Sequence, residues 1–439
     1  MMRANIFSSL REETFFDLMT FFPLHATNIG MKIGIIGGGA AGMMAAASAL
    51  EVNSDAEIFL IEKTDELGKK VLISGGGRCN LTTGLHDVQE VLKRYPRGAK
   101  FLTKAMYAFS PEDVYAWFEE RGVLLMIEDD LRVFPQSNNG KDVVKVFKKI
   151  FEAENIKVMF NSSVSEIKKC RNKFEVVFKD DFNSITADKV IITTGGQTYR
   201  QTGSTGDGYT WAAALGHKIT DLAPSLSALQ TAETWTLDVA GLSFVNASIV
   251  SNNFKAVGPI LFTHKGISGP AVFAFSALVA FEKFDANKPL EVAIDVFPST
   301  LKADLLKFLE LEIKRNPKKS LLNILSLLVP KSLADIVRSE LSLAFDLRAA
   351  ETGKKELLRC VEWLKGIPLK IVARSAGEEF VTAGGVELSE INPSTMESLI
   401  CRGLFFAGEI LNIDGFTGGF NLQSAWATGR MAGINAAKE

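Results

Sequence analysis

The sequence predicts an α/β protein with a dinucleotide-binding unit near its start, an interruption, and a C-terminal return to that unit. Three observations predict it. Residues 32–61 read as strand, glycine-rich turn, helix and second strand. Residues 226–298 change to short apolar strands with turns, and residues 300–365 change again to helical periodicity. Residues 403–429 then go back to a strand, a glycine-rich bend and a helix.

The bulk numbers bound the reading. At 439 residues the chain is longer than one core usually holds. A net charge of −2 gives no global pull toward nucleic acid or membrane. Cys79, Cys170, Cys360 and Cys401 are far apart and form no C-x-x-C, which argues against zinc, a redox dithiol or a disulfide scaffold. That usage fits a reducing cytoplasm, with no metal expected. The longest apolar run, PAVFAFSALVAF at 270–281, falls short of the roughly 20 residues a membrane span needs and reads as buried core. In residues 1–30, Arg11, Glu12, Glu13 and Asp17 break up any signal-peptide pattern. The expectation is a non-native or disordered extension ahead of a start at Met31; a short amphipathic helix is the alternative.

The first unit carries the clearest chemistry. KIGII at 32–36 is an apolar strand, and Gly37-Gly38-Gly39-Ala40-Ala41-Gly42 matches G-x-G-x-x-G. Gly37 permits the tight turn, and Gly39 lets a pyrophosphate approach the backbone. Gly42 lets the helix pack on the strand, while Ala40 and Ala41 open a helix whose N-terminus faces the phosphates. The second strand, EIFLI at 57–61, ends in Glu62 at the spacing of a ribose-binding acid, with Lys63 beside it.

Three further stretches favour FAD over NAD alone. KVIITTGG at 189–196 is a strand that breaks at Thr194, Gly195 and Gly196, and GSTGDG with Asp207 then opens a helix. In GLFFAGEILNIDGFTGGFNLQSAWATG at 403–429, a strand ends in Gly408-Glu409 and Gly418-Gly419 opens a helix near Asn421 and Leu422. Glu409 suits the ribityl chain, Asp414 could touch it or simply cap the turn, and the helix N-terminus suits the flavin ring. A strand near 158–167 places Val164 by the adenine; plain sheet core is the competing reading. The stretch ISGGGRCNLTTG at 73–84, after the Gly68-Lys69-Lys70 turn, leads from the ribose toward the flavin. Lys70, Ser74, Gly75, Gly76, Arg78, Cys79 and Asn80 are assigned to the cofactor.

Taken together, GGGAAG, GKKVLISGGGRCNLT, FPQS, TTGGQTYRQTGSTGDGY, ILFTHKGISGPAV, VTAGGV and the 403–429 segment resemble one family. It is the BaiN/RdsA-like NAD(P)/FAD-dependent oxidoreductases, also called HI0933-like or aminoacetone-oxidase-family flavoproteins, and the resemblance runs from Met31 to the C-terminus. It implies a glutathione-reductase-like, Rossmann-type FAD-binding domain from 31–222 and 370–439. A β-barrel-like insert over 223–300, with 366–385 nearby, and a helical insert over 301–365 complete it. It also implies FAD as cofactor and NAD(P)H as a transient electron donor. Family reactions include reduction of carbon–carbon double bonds, formation of dihydrouridine in ribosomal RNA and, in one branch, oxidation of aminoacetone. The partner is therefore a small molecule or rRNA, with no membrane.

Reducing an enone or uracil needs a side-chain acid to protonate the carbon next to the carbonyl. Cys79 is one candidate, because Arg78 would lower its pKa; a buried packing thiol is the alternative. His264, in FTHKGISGP, is the other; a histidine bonding a loop carbonyl competes with it. Tyr199 and Arg200 could line the substrate side; a solvated loop is the alternative. Between 301 and 365 there are 13 Lys/Arg and 9 Asp/Glu, 13 − 9 = +4, with Lys314, Arg315, Lys318 and Lys319 clustered. That face could meet RNA phosphates, which leaves open an RNA-associated protein whose FAD is structural, or be a solvated helix surface.

Overall fold

The computed structural model describes residues 30–438 except 155, 180–182, 345, 376 and 378. The N-terminal extension is expected at 1–30, and its residues 1–29 lie outside the described residues. A parallel five-stranded sheet organises the larger part, in the order Leu404–Phe406, Lys189–Ile192, Lys32–Ile36, Glu57–Ile61, Lys157–Met159. Its strands are nearly continuous apolar runs because both faces are covered. Ile33, Ile35, Ile191 and Leu404 are fully buried.

Two helices, Ala40–Val52 and Phe420–Ala436, pack against each other over this sheet. Their contact is backbone on backbone. A Cβ at Gly429 would lie 2.4 Å from the Ala41 carbonyl oxygen, and one at Gly433 would lie 2.2 Å from that of Ala45. Trp426 on the final helix stacks on Phe147 at 5.8 Å and meets Phe118 edge-on at 5.5 Å.

The middle of the chain is a closed six-stranded barrel: Leu229–Thr231, Gly266–Ser268, Phe254–Thr263, Ser243–Ser251, Leu290–Asp295 and Ile367–Arg374. Helix Pro270–Leu278 lies against it. The helices Lys302–Arg315, Leu321–Leu325, Lys331–Glu340 and Lys354–Leu364 follow. Two differences from expectation stand out. Barrel and helices bury one continuous core, from Ile260 and Phe262 to Leu333 and Leu364. And because Ile367–Arg374 closes the barrel, residues 370–374 belong to the insert and not to the cofactor domain. Among the described residues, no helix is long and apolar enough to cross a membrane.

The glycine contacts give the first prediction. Gly433→Val forces the two helices apart and costs about 3 kcal/mol, as overpacking does in a core. Urea unfolding measures it; an unchanged midpoint would refute the close contact.

Candidate functional site

A cavity of about 880 Å³ opens at the carboxyl ends of the parallel strands. This is where open α/β sheets bind ligands. The turn after the first strand supplies Gly37 to Ala41, the end of the second strand supplies Glu62, and Thr193 to Gly195 follow the fourth. Gly37 has φ 109°, and a Cβ there would lie 2.6 Å from the Thr193 carbonyl oxygen, so only glycine fits. Gly42 stands behind the wall, where a Cβ would meet the Gly37 oxygen at 1.9 Å. Gly39 differs from both. A Cβ there meets nothing within 4 Å, so its missing side chain leaves open space facing the cleft.

Glu62 is held firmly. One carboxylate oxygen accepts from the Gly38 N–H at 2.8 Å, the other from the Thr64 N–H at 2.7 Å. A carboxylate has further lone pairs for ribose hydroxyls. Lys63 bonds Asp207 at 2.8 Å and the Thr205 hydroxyl at 2.9 Å. Burial alone would raise the Asp207 pKa, but the Lys63 and Thr205 bonds outweigh it and hold the carboxyl below its usual range. Lys70 bonds Glu409 at 2.9 Å and Ser204 at 3.2 Å, and Glu409 also accepts from the Thr382 N–H at 2.9 Å. Thr194 is in the same wall, with its hydroxyl buried toward Gly208. Val164 lines the cavity as well.

At the other end, Lys69–Ile73 is a short helix that runs into Ser74–Gly77. Gly75 and Gly76 take φ 57° and 70°, and a Cβ on Gly75 would press the Phe134 ring at 2.9 Å. Ser74, Gly75, Gly76 and Asn80 line the cavity beside Gly408, Glu409, Gly418, Gly419, Asn421 and Leu422 from the C-terminal segment. With its amide oxygen toward the Gly419 N–H (3.0 Å), Asn80 joins the two segments. Phe420–Ala436 thus points its N-terminus at the cavity, which favours negative charge there. These features fit FAD: an empty space above Gly39 and a fixed acid at Glu62.

Several sequence expectations change here. Cys79 is fully buried, and burial pushes its thiol up to about 12, against a smaller lowering from Ser74. Arg78 does not activate it. That guanidinium pairs with Glu128 at 2.5 Å, bonds Asn138 and lies over the Phe134 ring, outside the cavity wall. His264 is exposed in the turn between Phe254–Thr263 and Gly266–Ser268, also outside the wall. Asp414 is fully buried, paired with Arg97 and accepting from the Ser225 hydroxyl at 2.8 Å; it braces the wall behind Ile413 and Phe416. Gly196 lies behind the wall too, where a Cβ would hit the Thr382 hydroxyl at 2.4 Å. The sequence reading missed Leu226, Val257, Pro259, Phe273, Phe380 and Phe416, which line the cavity from the insert and the loops beside it. Arg200 is exposed, while Tyr199 does line the cavity.

A family model described as "HI0933-like protein Rossmann domain" matches residues 31–435. The chain is 28% identical over 413 residues to a 3-dehydro-bile acid delta(4,6)-reductase of Clostridium scindens, covering 93% of this chain and 99% of that protein. It is 28% identical over 409 residues to a ribosomal RNA dihydrouridine synthase of Escherichia coli, covering 90% and 95%. Among solved structures, it resembles 3-ketosteroid-delta4-(5alpha)-dehydrogenase of Rhodococcus jostii in fold, with TM-score 0.50, 15% identity, and 94% and 99% coverage. The chain belongs to the HI0933-like family and is an FAD-dependent oxidoreductase.

Gly39→Val should leave folding intact, since nothing crowds that position, yet abolish FAD retention. Equal thermal stability of the apo-proteins with loss of yellow colour is the expected result; a yellow variant would refute the cradle. In the native protein at pH 8, iodoacetamide should label the exposed Cys170 and spare Cys79. The sign follows from the raised pKa: the neutral thiol persists and little thiolate forms. Mass spectrometry of tryptic peptides decides it.

Proposed function

We propose that this HI0933-like flavoprotein is an NAD(P)H-linked reductase of a polarised carbon–carbon double bond in a small, flat, uncharged molecule. One observation carries the reading: the dinucleotide cradle and an apolar outer wall belong to a single continuous cavity. When bound, FAD supplies hydride transfer. Glu62 and the Gly37–Gly42 turn hold the adenosine and pyrophosphate end, while Gly75, Gly76, Gly418 and Gly419 offer backbone to the ring end. Lys70 and Glu409 fix each other across the cavity floor. Leu226, Val257, Pro259 and Phe273 exclude water from the outer wall.

Charge argues for a neutral substrate. Lys63, Lys69, Lys70, Arg94 and Arg132 line the cavity, and so do Glu62, Glu66, Asp130, Asp207 and Glu409, so 5 − 5 = 0. Four of the five cations are already engaged by carboxylates: Lys63 with Asp207, Lys69 with Asp65, Lys70 with Glu409, and Arg132 with Asp130 and Glu128. A polynucleotide would need a surplus of free cations to replace its counterions. The rRNA reading shares the bond chemistry, and two relatives carry that activity by name; the balanced cavity favours the small molecule. The four free thiols suit a reducing cytoplasm.

Anaerobic stopped-flow spectroscopy tests this. NADH or NADPH should bleach the bound flavin, and a cyclic enone should restore its colour in the absence of oxygen. Flavin that no nicotinamide reduces, or that only oxygen reoxidises, would sink the proposal. Loss of rRNA dihydrouridine in a deletion strain would move the substrate to RNA.

A further inference from the structure

The outer wall carries an aromatic row that the cofactor reading does not use. Tyr199 and Phe380 stack with ring centroids 6.2 Å apart and planes 19° apart. Phe273 meets Phe380 edge-on at 5.1 Å. All three line the cavity, from the loop after the fourth strand to the barrel helix. Phe380 is 38% exposed, although a phenylalanine ring is stabilised by burial.

Hydrogen bonds hold the row in place against backbone strain. Tyr199 sits at φ 53° and Leu226, also in the cavity wall, at φ 58°. The left-handed region costs a side-chain-bearing residue of order 1–3 kcal/mol, and such strain clusters at ligand sites. The Phe380 N–H donates to the Leu226 carbonyl at 3.4 Å, and the Thr198 hydroxyl donates to the Phe380 carbonyl at 3.3 Å. The ring is thus presented from three chain segments that lock one another.

We infer that Tyr199, Phe273 and Phe380 form a binding platform for a planar, uncharged ring, with Tyr199 and Phe380 as specificity-determining residues. The inference rests on the cavity reading above and deepens it. Aromatic faces favour flat π-systems in offset contact, and no charge is needed. Two rings share this chemistry: that of an enone substrate and the nicotinamide of the electron donor.

The test uses the FAD-loaded protein and two probes. Binding of 4-androstene-3,17-dione is read from the visible absorbance of bound FAD; NADH is read from the concentration dependence of anaerobic flavin reduction. Phe380→Ala and Tyr199→Ala should each raise the dissociation constant of at least one probe about tenfold, worth about 1.4 kcal/mol. Phe380→Tyr, which keeps a ring, should hold it within about twofold, a span of about 0.4 kcal/mol. A change for the steroid alone assigns the platform to substrate; a change for NADH alone assigns it to nicotinamide. Unchanged constants for both probes, no binding of either to the wild type, or loss of FAD from both alanine variants would overturn the inference. The two readings fail differently. Weakened binding without enone turnover in the wild type removes the reductase reading and keeps the platform. Turnover with unaffected binding does the reverse.

Discussion

Everything in the site depends on the close approach of two helices. Gly429 and Gly433 bring the final helix onto the backbone of Ala41 and Ala45. That contact sets the N-terminal glycine turn and the C-terminal Gly418-Gly419 bend at one cavity, from opposite ends of the chain. The final helix fixes a third segment as well. Trp426 donates to the Leu81 carbonyl at 3.0 Å, Gln423 accepts from the Thr82 hydroxyl at 2.6 Å, and Gly419 lies so close to Thr82 that a Cβ would be 2.1 Å from its oxygen. The loop at 74–80 is therefore placed by the same helix that closes the cofactor end.

The insert is tied to that frame through an ion pair whose acid is fully buried and whose base is half-buried. Arg97 grips Asp414 and also donates to the Ala277 carbonyl at 2.9 Å, while Ser225 donates to Asp414. Asp414 thereby joins the C-terminal loop, the barrel helix and the strand that leads into the barrel. Burial raises its pKa and Arg97 opposes that rise. Removing one partner of such a pair leaves the other charge buried and alone, which is costlier than losing an exposed pair. The ion pair explains how a separately packed barrel keeps its apolar wall aligned with the cofactor wall.

What was legible in the sequence is what depends on short spacing. The Gly37–Gly42 turn and Glu62 could be read because strand, turn, helix and acid follow within one βαβ unit. The strand-to-glycine breaks at Thr194 and Gly408 were legible for the same reason. Cys79 was not, because neighbours in sequence need not converge: Arg78 turns to Glu128 and leaves the sulfur in a dry interior. Asp414 looked like a ribityl ligand because nothing local announces Arg97, far back in the chain. Phe273 sits in a strongly apolar run where a cavity-facing ring and a core ring look alike, and Phe380, which meets it edge-on, lies far along the chain. The shared core of barrel and helices was hidden because periodicity identifies elements, not what they pack against.

We propose that cofactor and substrate lie side by side in one cavity, the cofactor between segments from both chain ends and the substrate on the aromatic wall. A crystal structure of the protein with FAD and a planar enone tests it most directly. The expected result is pyrophosphate density at Gly38 to Ala40, the flavin ring between the Gly75-Gly76 and Gly418-Gly419 backbones, and the enone in contact with Phe380. An enone bound elsewhere, or a flavin lying against Phe380 and Phe273 in its place, would contradict it.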